Sequence, residues 1–423
     1  MKRQLYIFIL TALSLFNSER ANALQIFINM DEGQKNHLKA YGIAYWVLAK
    51  GAEVDWLLNY QGGSFMFSFA AEYENECKIR GVDYEVVTES KANSILVEIS
   101  NPEANMENVK LLKAPKIAVY TPKNKQPWDD AVTLVMEYAE IPYDKVFDDE
   151  VLEDKLSAYD WLHLHHEDFT GQYGKFWSSH SNMPWYQEEV KENEACASRN
   201  GFKKVSEMKL AVAKKIRDFC LGGGFMFAMC SATDTYDIAL AADGIDICES
   251  MFDGDGMDPD ADNKLNFNNS FAFTDFDLVM NPYTYEHSSI DNTDQHFGLN
   301  ENTDLFTLFD FSAKWDVVPT MLCQNHTQTI TGFMGQTTGF RKNYIKSEVL
   351  VMGENKSLNE ARYIHGTIGK GTWTFYSGHD PEDYQHLLDE PPTNLSLFPN
   401  SPGYRLILNN ILFPSAKKKK LKT

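Results

Sequence analysis

Apolar and polar positions fall into short runs that predict most of the elements. Residues 24–28 (LQIFI) form an apolar run of strand type, and 37–50 carry apolar residues at helical spacing until Gly51 ends them. Residues 54–58 read as a second strand, Gly62-Gly63 as a turn, and 65–69 as a third strand. A further helix and a strand at 84–87 follow, and the polar, proline-bearing stretch 101–108 reads as a linker. This first α/β unit is expected to span residues 24–110.

A second unit, 111–416, opens on the β-branched run 116–120, which Thr121-Pro122 closes. An amphipathic helix is expected over 128–141, a strand over 143–147, a short helix over 150–156 and a buried strand over 159–163. Helix 205–221 stops at three glycines, 222–224, and FMFAM at 225–229 is the next strand. Strands alternating with helices at this spacing predict a parallel sheet covered on both faces. Two insertions interrupt it, about 170–204 and 248–362, the second rich in Asn, Asp, Thr and aromatics and irregular or antiparallel in pattern. Residues 372–376 return as a strand, and 404–413 read as a closing helix.

Composition narrows the function classes. With 423 residues and 43% hydrophobic positions the chain can bury large cores, which excludes global disorder. Its 60 acidic against 39 basic residues, net −21, make nucleic acid an unexpected partner, because such a field repels phosphate. Only the tail 417–423 is locally basic. Lys2 and Arg3, an apolar run over 5–16 and Ala21-Asn22-Ala23 have the form of a leader cut after Ala23, so an exported protein, periplasmic or secreted, is expected. The run is too short to span a bilayer as a helix, and no membrane span is expected elsewhere. Six cysteines without a CxxC pair exclude a zinc ribbon and suggest mostly buried thiols.

Candidate chemistry concentrates where strands end. Cys230 closes the strand 225–229 and is followed by Ser231-Ala232-Thr233-Asp234 and a helix-like run. A cysteine in a tight strand-to-helix turn lies at a helix N-terminus, where amides and the dipole favour the reactive thiolate. The alternative is a buried structural thiol. His379, in Gly378-His379-Asp380-Pro381-Glu382, follows the strand 372–376 and is the candidate base, with Asp380 or Glu382 to orient it. His163-Leu164-His165-His166-Glu167-Asp168 leaves a third strand end. It either holds a divalent metal through imidazole and carboxylate or lines a polar pocket, with His165, His166, Glu167 and Ser231 contacting substrate. Phe176, Trp177, Trp185 and Tyr186 suggest an aromatic lid or a second small core. Asp258, Asp260 and Asp262 begin like a calcium loop, but its twelfth position is Asn269, so a structural calcium competes with a solvated turn. No other cofactor is expected, zinc included.

On these residues, the chain from about Lys116 onward resembles the class I glutamine amidotransferase-like superfamily. Ala228-Met229-Cys230-Ser231-Ala232 looks like its nucleophile elbow, and His379-Asp380-Pro381-Glu382 looks like its His-Pro-Glu element. The resemblance implies a flavodoxin-like sheet, with Cys230 as nucleophile, His379 as base, and Glu382 or Asp380 as orienter. Alanines stand where that elbow has glycine, Asp380 intrudes between His and Pro, and no synthetase domain follows. Across stretches 34–63, 159–176 and 378–386 the chain also resembles exported proteins labelled asparagine synthetase B. The chemistry of that label needs an N-terminal nucleophilic cysteine and an ATP loop of the SGGxDS type, and the sequence has neither. The expected function is an exported Cys-His hydrolase that cleaves an amide or related acyl bond in a small molecule, peptide or glycan through a thioester. The alternatives are a non-catalytic carbohydrate- or peptide-binding module and a metal-dependent hydrolase centred on His163, His165, His166 and Asp168.

Overall fold

The computed structural model describes residues 24–122, 130–385, 387 and 390–417. The expected leader 1–23, the first two residues of the expected helix 128–141, and all but Lys417 of the tail lie outside them.

The N-terminal unit runs β1 (Leu24–Ile28), α1 (His37–Ala49), β2 (Val54–Leu58), β3 (Ser64–Ser68), α2 (Ala71–Arg80), β4 (Glu85–Thr88), α3 (Glu89–Ser100) and β5 (Glu107–Leu111). Its sheet has the order β4-β1-β3-β2-β5, and every pair is antiparallel. The expected linker 101–108 is shorter than its composition suggests. Glu107 already pairs with Leu58, and Val109 and Leu111 point inward, which a polar run with only two such positions conceals.

The second unit runs β6 (Ile117–Tyr120), α4 (Ala131–Ala139), β7 (Asp144–Val146), α5 (Asp148–Leu152), β8 (Trp161–Leu164), α6 (Pro184–Arg199), α7 (Val205–Gly222), β9 (Phe225–Met229) and α8 (Ala232–Ala241). It continues through β10 (Leu305–Leu308), β11 (Thr329–Thr331), β12 (Phe340–Arg341), β13 (Leu350–Asn355), β14 (Glu360–Ile368) and β15 (Gly371–Tyr376) to α9 (Pro402–Leu412). The sheet order is β11-β10-β13-β14-β15-β9-β8-β6-β7, with β12 paired to β14 beside that path. Strands β15, β9, β8, β6 and β7 are mutually parallel, and the remaining pairs are antiparallel. The protein is therefore mixed α/β. The second insertion joins the sheet it was expected to interrupt, extending its edge with β10, β13 and β14.

Helices α1, α4 and α9 lie between the two sheets and share one continuous core with them, from Ile26 and Trp56 through Tyr41 and Val132 to Val119, Phe227 and Tyr404. Gly42 makes this layer possible. A Cβ there would lie 1.9 Å from the Ala139 carbonyl oxygen, so α1 and α4 touch backbone to backbone. Helices α7 and α8 cover the other face, over Leu162, Leu164, Met226, Ala228 and Phe375. Alternation along β8 sets which side its histidine takes: Trp161 faces the central layer, and His163 shares that face.

Candidate functional site

Three parallel strands end side by side and deliver the candidate residues to one edge. In the register, Leu164 of β8 lies opposite Ala228 of β9, and Tyr376 of β15 opposite Met229. Cys230 then leaves β9 with φ +51°, a left-handed turn that a non-glycine residue adopts at some cost. Its amide donates to the Gly378 carbonyl at 3.1 Å, and Gly378 itself has φ +82°. On the other side, the Ala232 amide donates to His165 O at 3.1 Å and the Ser231 hydroxyl to His166 O at 2.8 Å. The first turn of α8 is thus bound to both neighbouring loops.

Because β9 lies between β8 and β15, side chains from the two outer loops can meet across its end. The rings of His165 and His379 lie 4.2 Å apart, and those of His166 and His379 5.9 Å apart. Nδ1 of His165 is 2.8 Å from Nδ1 of His166. Asp130 anchors the near wall: it caps α4 by accepting the amides of Val132 (2.7 Å) and Thr133 (2.9 Å). Its other oxygen lies 3.3 Å from His163 Nε2 and 3.7 Å from His165 Nδ1. Burial opposes ionisation of Asp130, but the charges of His165 and His163 outweigh it and hold the carboxyl far below the usual range.

The thiol does not have the character the turn suggests. Burial pushes Cys230 up to about 12, against the amides of Ser231 and Gln336, which aim at the sulfur and favour the anion. Asp234 and Asp291 add to the rise. Desolvation therefore wins over the helix terminus, and the resting group is a neutral thiol. All six cysteines are free, and Cys323 alone is not fully buried.

Several expected roles change. Burial raises the carboxyls of Asp380 and Glu382; Asp380 accepts the Glu382 amide at 2.9 Å and is influenced by the Tyr404 hydroxyl, and Glu382 by Ser401. Ser231 uses its hydroxyl on the His166 carbonyl. Burial pushes the Glu167 carboxyl up to about 8, against the opposing charge of Lys209. Asp168 does not join the histidines, because strand alternation ends at Leu164. It accepts the amides of Thr170 (2.7 Å), Gln172 (3.1 Å) and Gly174 (2.9 Å) and lies 3.4 Å from His287 Nε2. The four-residue metal set of His163, His165, His166 and Asp168 is not assembled.

In the expected calcium loop, the carboxylates of Asp258 and Asp262 have partners within the chain. Asp258 accepts the Asp246 amide at 3.1 Å and Asp262 that of Leu278 at 2.6 Å, while Asp260 lies in a turn with φ +56°. These three form no ligand group among the described residues. The acidic loop instead gathers on an ammonium: Lys204 pairs with Asp246, Asp255 and, at 3.0 Å, Asp253. The aromatic insertion is in part a small core, with Tyr173 and Tyr186 packed on Val205, Met208 and Phe252. Phe176 reaches outward to Tyr285, ring to ring at 5.5 Å.

Sequence reading missed Asp130, whose only signal is its position as an acidic residue opening a helix. It also missed Asp234, His287, Asp291 and Gln336. The last three lie in a segment without periodicity, and only the fold brings Asp291 and Gln336 beside Cys230 and His287 beside Asp168 and Gln336. Asp234 and Asp291 make one prediction. Asp291 accepts from Thr293 and Thr337, yet burial and then the Asp234 charge push it up to about 7. Its proton is held more tightly folded than unfolded, so stability is highest below about pH 4 for this group and falls as pH rises toward 7. Asp234 also faces His287 and the Thr337 hydroxyl. Asp234→Asn removes the charge facing Asp291, and urea unfolding should gain about 1–2 kcal/mol near pH 7 and little at pH 4. An equal gain at both pH values contradicts the coupling.

Fold and site together define a mixed α/β protein with a cysteine elbow and a histidine cluster at the carboxyl ends of parallel strands. No protein-family model matches the chain, and no curated protein matches it. Among solved structures it matches the "Cytoplasmic Protein STM3548" from Salmonella typhimurium at 9% identity, over 72% of this chain and 100% of that one, with a TM-score of 0.34. It also matches the "Cytoplasmic Protein STM1381" from Salmonella typhimurium LT2 at 12% identity, over 71% and 100%, with a TM-score of 0.35. Both of those proteins are described as cytoplasmic, which differs from the exported, periplasmic or secreted location expected from the sequence. No helix among the described residues is long and apolar enough to cross a membrane.

Proposed function

We propose that the chain is a cysteine-dependent acyl-transfer enzyme, hydrolysing an amide or related acyl bond of a small molecule, peptide or glycan through a thioester on Cys230. The observation that carries this is the elbow itself: Cys230 at φ +51° between a parallel strand and a helix, its amide 3.1 Å from the carbonyl of Gly378, the residue before His379. The same reading takes the parallel strands as a flavodoxin-like sheet of the class I glutamine amidotransferase-like kind. In support, their spatial order β7-β6-β8-β9-β15 is second, first, third, fourth and fifth in chain order.

In this mechanism His379 takes the proton of the neutral thiol as sulfur attacks the substrate carbonyl carbon. The Ser231 and Gln336 amides, which favour the anion on sulfur at rest, are the donors that would stabilise the developing oxyanion. The tetrahedral adduct collapses, the carbon–nitrogen bond breaks, and the leaving amine receives the proton from His379. Water then attacks the thioester carbon and gives one proton to His379, which returns it to sulfur as the acid departs. His165 and His166 border the substrate.

The test is an acyl adduct. Incubation with activated acyl esters or amides, acid quench and peptide mass spectrometry should find the acyl mass on the Cys230 peptide, released by hydroxylamine. His379→Asn should lower the acylation rate at least about 100-fold. Acylation elsewhere, or unchanged in that variant, refutes the assignment. The high Cys230 pKa favours a second reading, a ligand-binding module without catalysis. Its mark is a saturable ligand with no adduct.

A further inference from the structure

We propose that His165, His166 and His379 bind one divalent transition-metal ion of the zinc class across the carboxyl end of β9. One ring nitrogen from each of the three can be chosen so that all lie within 4.8 Å of one another. In a tetrahedral zinc site, bonds of about 2.0–2.1 Å separate ligand nitrogens by about 3.4 Å, so small ring rotations close the set. The two Nδ1 atoms of His165 and His166 already lie 2.8 Å apart, the approach of nitrogens that either share a proton or face one cation. Backbone fixes the arrangement from both sides: the His165 and His166 carbonyls are held by Ala232 and Ser231, and the His379 amide donates to Met334 O at 3.0 Å. Asp130 lies beside the set, 3.7 Å from His165 and 3.3 Å from His163, and adds a negative charge at its edge.

Three other groups gather potential ligands, and each answers to a different cation or structural need. In the group of Asp246, Cys248 and Asp253, both carboxylates pair with the Lys204 ammonium and the thiol donates to the Thr170 carbonyl at 3.3 Å. His296, Asp304 and Glu360 are bound to one another and to Arg362. Asp130 and His163 form an ion pair that caps α4 and ties β8 to the Phe227 carbonyl at 3.2 Å. The set proposed here offers imidazole alone, the donor suited to zinc, copper and nickel rather than calcium or magnesium.

This inference is independent of the thiol chemistry, although the two compete for His379: an ion on that ring removes the base. The full chain is stripped with a chelator and titrated with Co²⁺ and then Zn²⁺. About one ion per chain is expected, with visible cobalt d–d bands and a rise in the unfolding temperature on adding Zn²⁺. His166→Ala, at the half-buried ligand, and separately His379→Ala should each weaken binding at least about 100-fold. Cys230→Ala should bind as wild type does, so loss of acyl transfer in that variant says nothing against the ion. Wild-type protein that takes up no ion at about 100 μM, or His166→Ala and His379→Ala proteins that each fold and bind with wild-type affinity, overturns the proposal.

Discussion

Cys230→Ala protein is expected to fold normally and to lose acyl transfer by at least about 10⁴-fold. The magnitude follows from removing the group to which the covalent intermediate attaches, leaving only binding and oxyanion contacts. Alanine keeps the Cβ and therefore the left-handed strain at φ +51°, and the change deletes one sulfur from a packed site. Stability should fall by only about 1–2 kcal/mol. The wild-type thiol has its own signature. With a pKa of about 12 against about 8.5 for an ordinary cysteine, it is ionised roughly 10³-fold less at pH 7. A more basic thiolate is intrinsically more nucleophilic, which recovers about one and a half powers of ten. Alkylation by iodoacetamide should therefore be about 10²-fold slower than for a model thiol and rise tenfold per pH unit through pH 9. Rapid labelling at pH 7 would mean that an imidazolium holds the sulfur ionised at rest, in place of the neutral thiol that burial favours.

Arg362→Met should cost about 3–5 kcal/mol of stability, read as a lower urea midpoint with an unchanged slope. Arg362 is fully buried, with Nη1 3.1 Å from Glu360 and 3.5 Å from Asp304. His296 bridges the same carboxylates, 3.0 Å from Asp304 and 2.9 Å from Glu360, and the Asn292 amide donates to Glu360 at 2.6 Å. Removing the guanidinium leaves two buried carboxylates with one imidazole between them, and that imbalance, rather than the lost contact, sets the size of the effect. The consequence extends to the site. Nη2 of Arg362 donates to Phe333 O at 3.2 Å, and a Cβ on Gly378 would meet Phe333 at 2.3 Å. The guanidinium therefore braces the loop against which the residue before His379 packs. A loss below about 1 kcal/mol would show that the network relaxes around the vacancy.

Much of the parallel sheet was legible because its strands are buried on both faces and read as continuous apolar runs, such as IAVY at 117–120 and FMFAM at 225–229. β5 was not: it is a mostly polar edge strand, and its neighbour β2, not its own composition, makes it a strand. The insertion 248–362 was legible only as irregular. Its strands β10 and β13 pair through residues more than forty positions apart, a correspondence that no local window contains.

The candidate site divides in the same way. Cys230 and His379 stood out because each leaves an apolar run at a point where small residues or glycine must turn the chain. The sequence alone determined that Cys230 closes a strand and opens a helix, that the histidines leave strand ends, and that the acidic chain would repel phosphate. Tertiary structure decided the rest. It placed β9 between β8 and β15, so that rings 214 positions apart in the chain meet at 4.2 Å. It set Asp168 on the amides of the following turn and beside His287, and it buried the thiol until desolvation outweighed the helix terminus. The physical reason is that hydrophobic runs and turn residues act over a few neighbours. Ring–ring approach, burial and charge depend instead on distances in space, which chain order leaves undetermined until the sheet has closed.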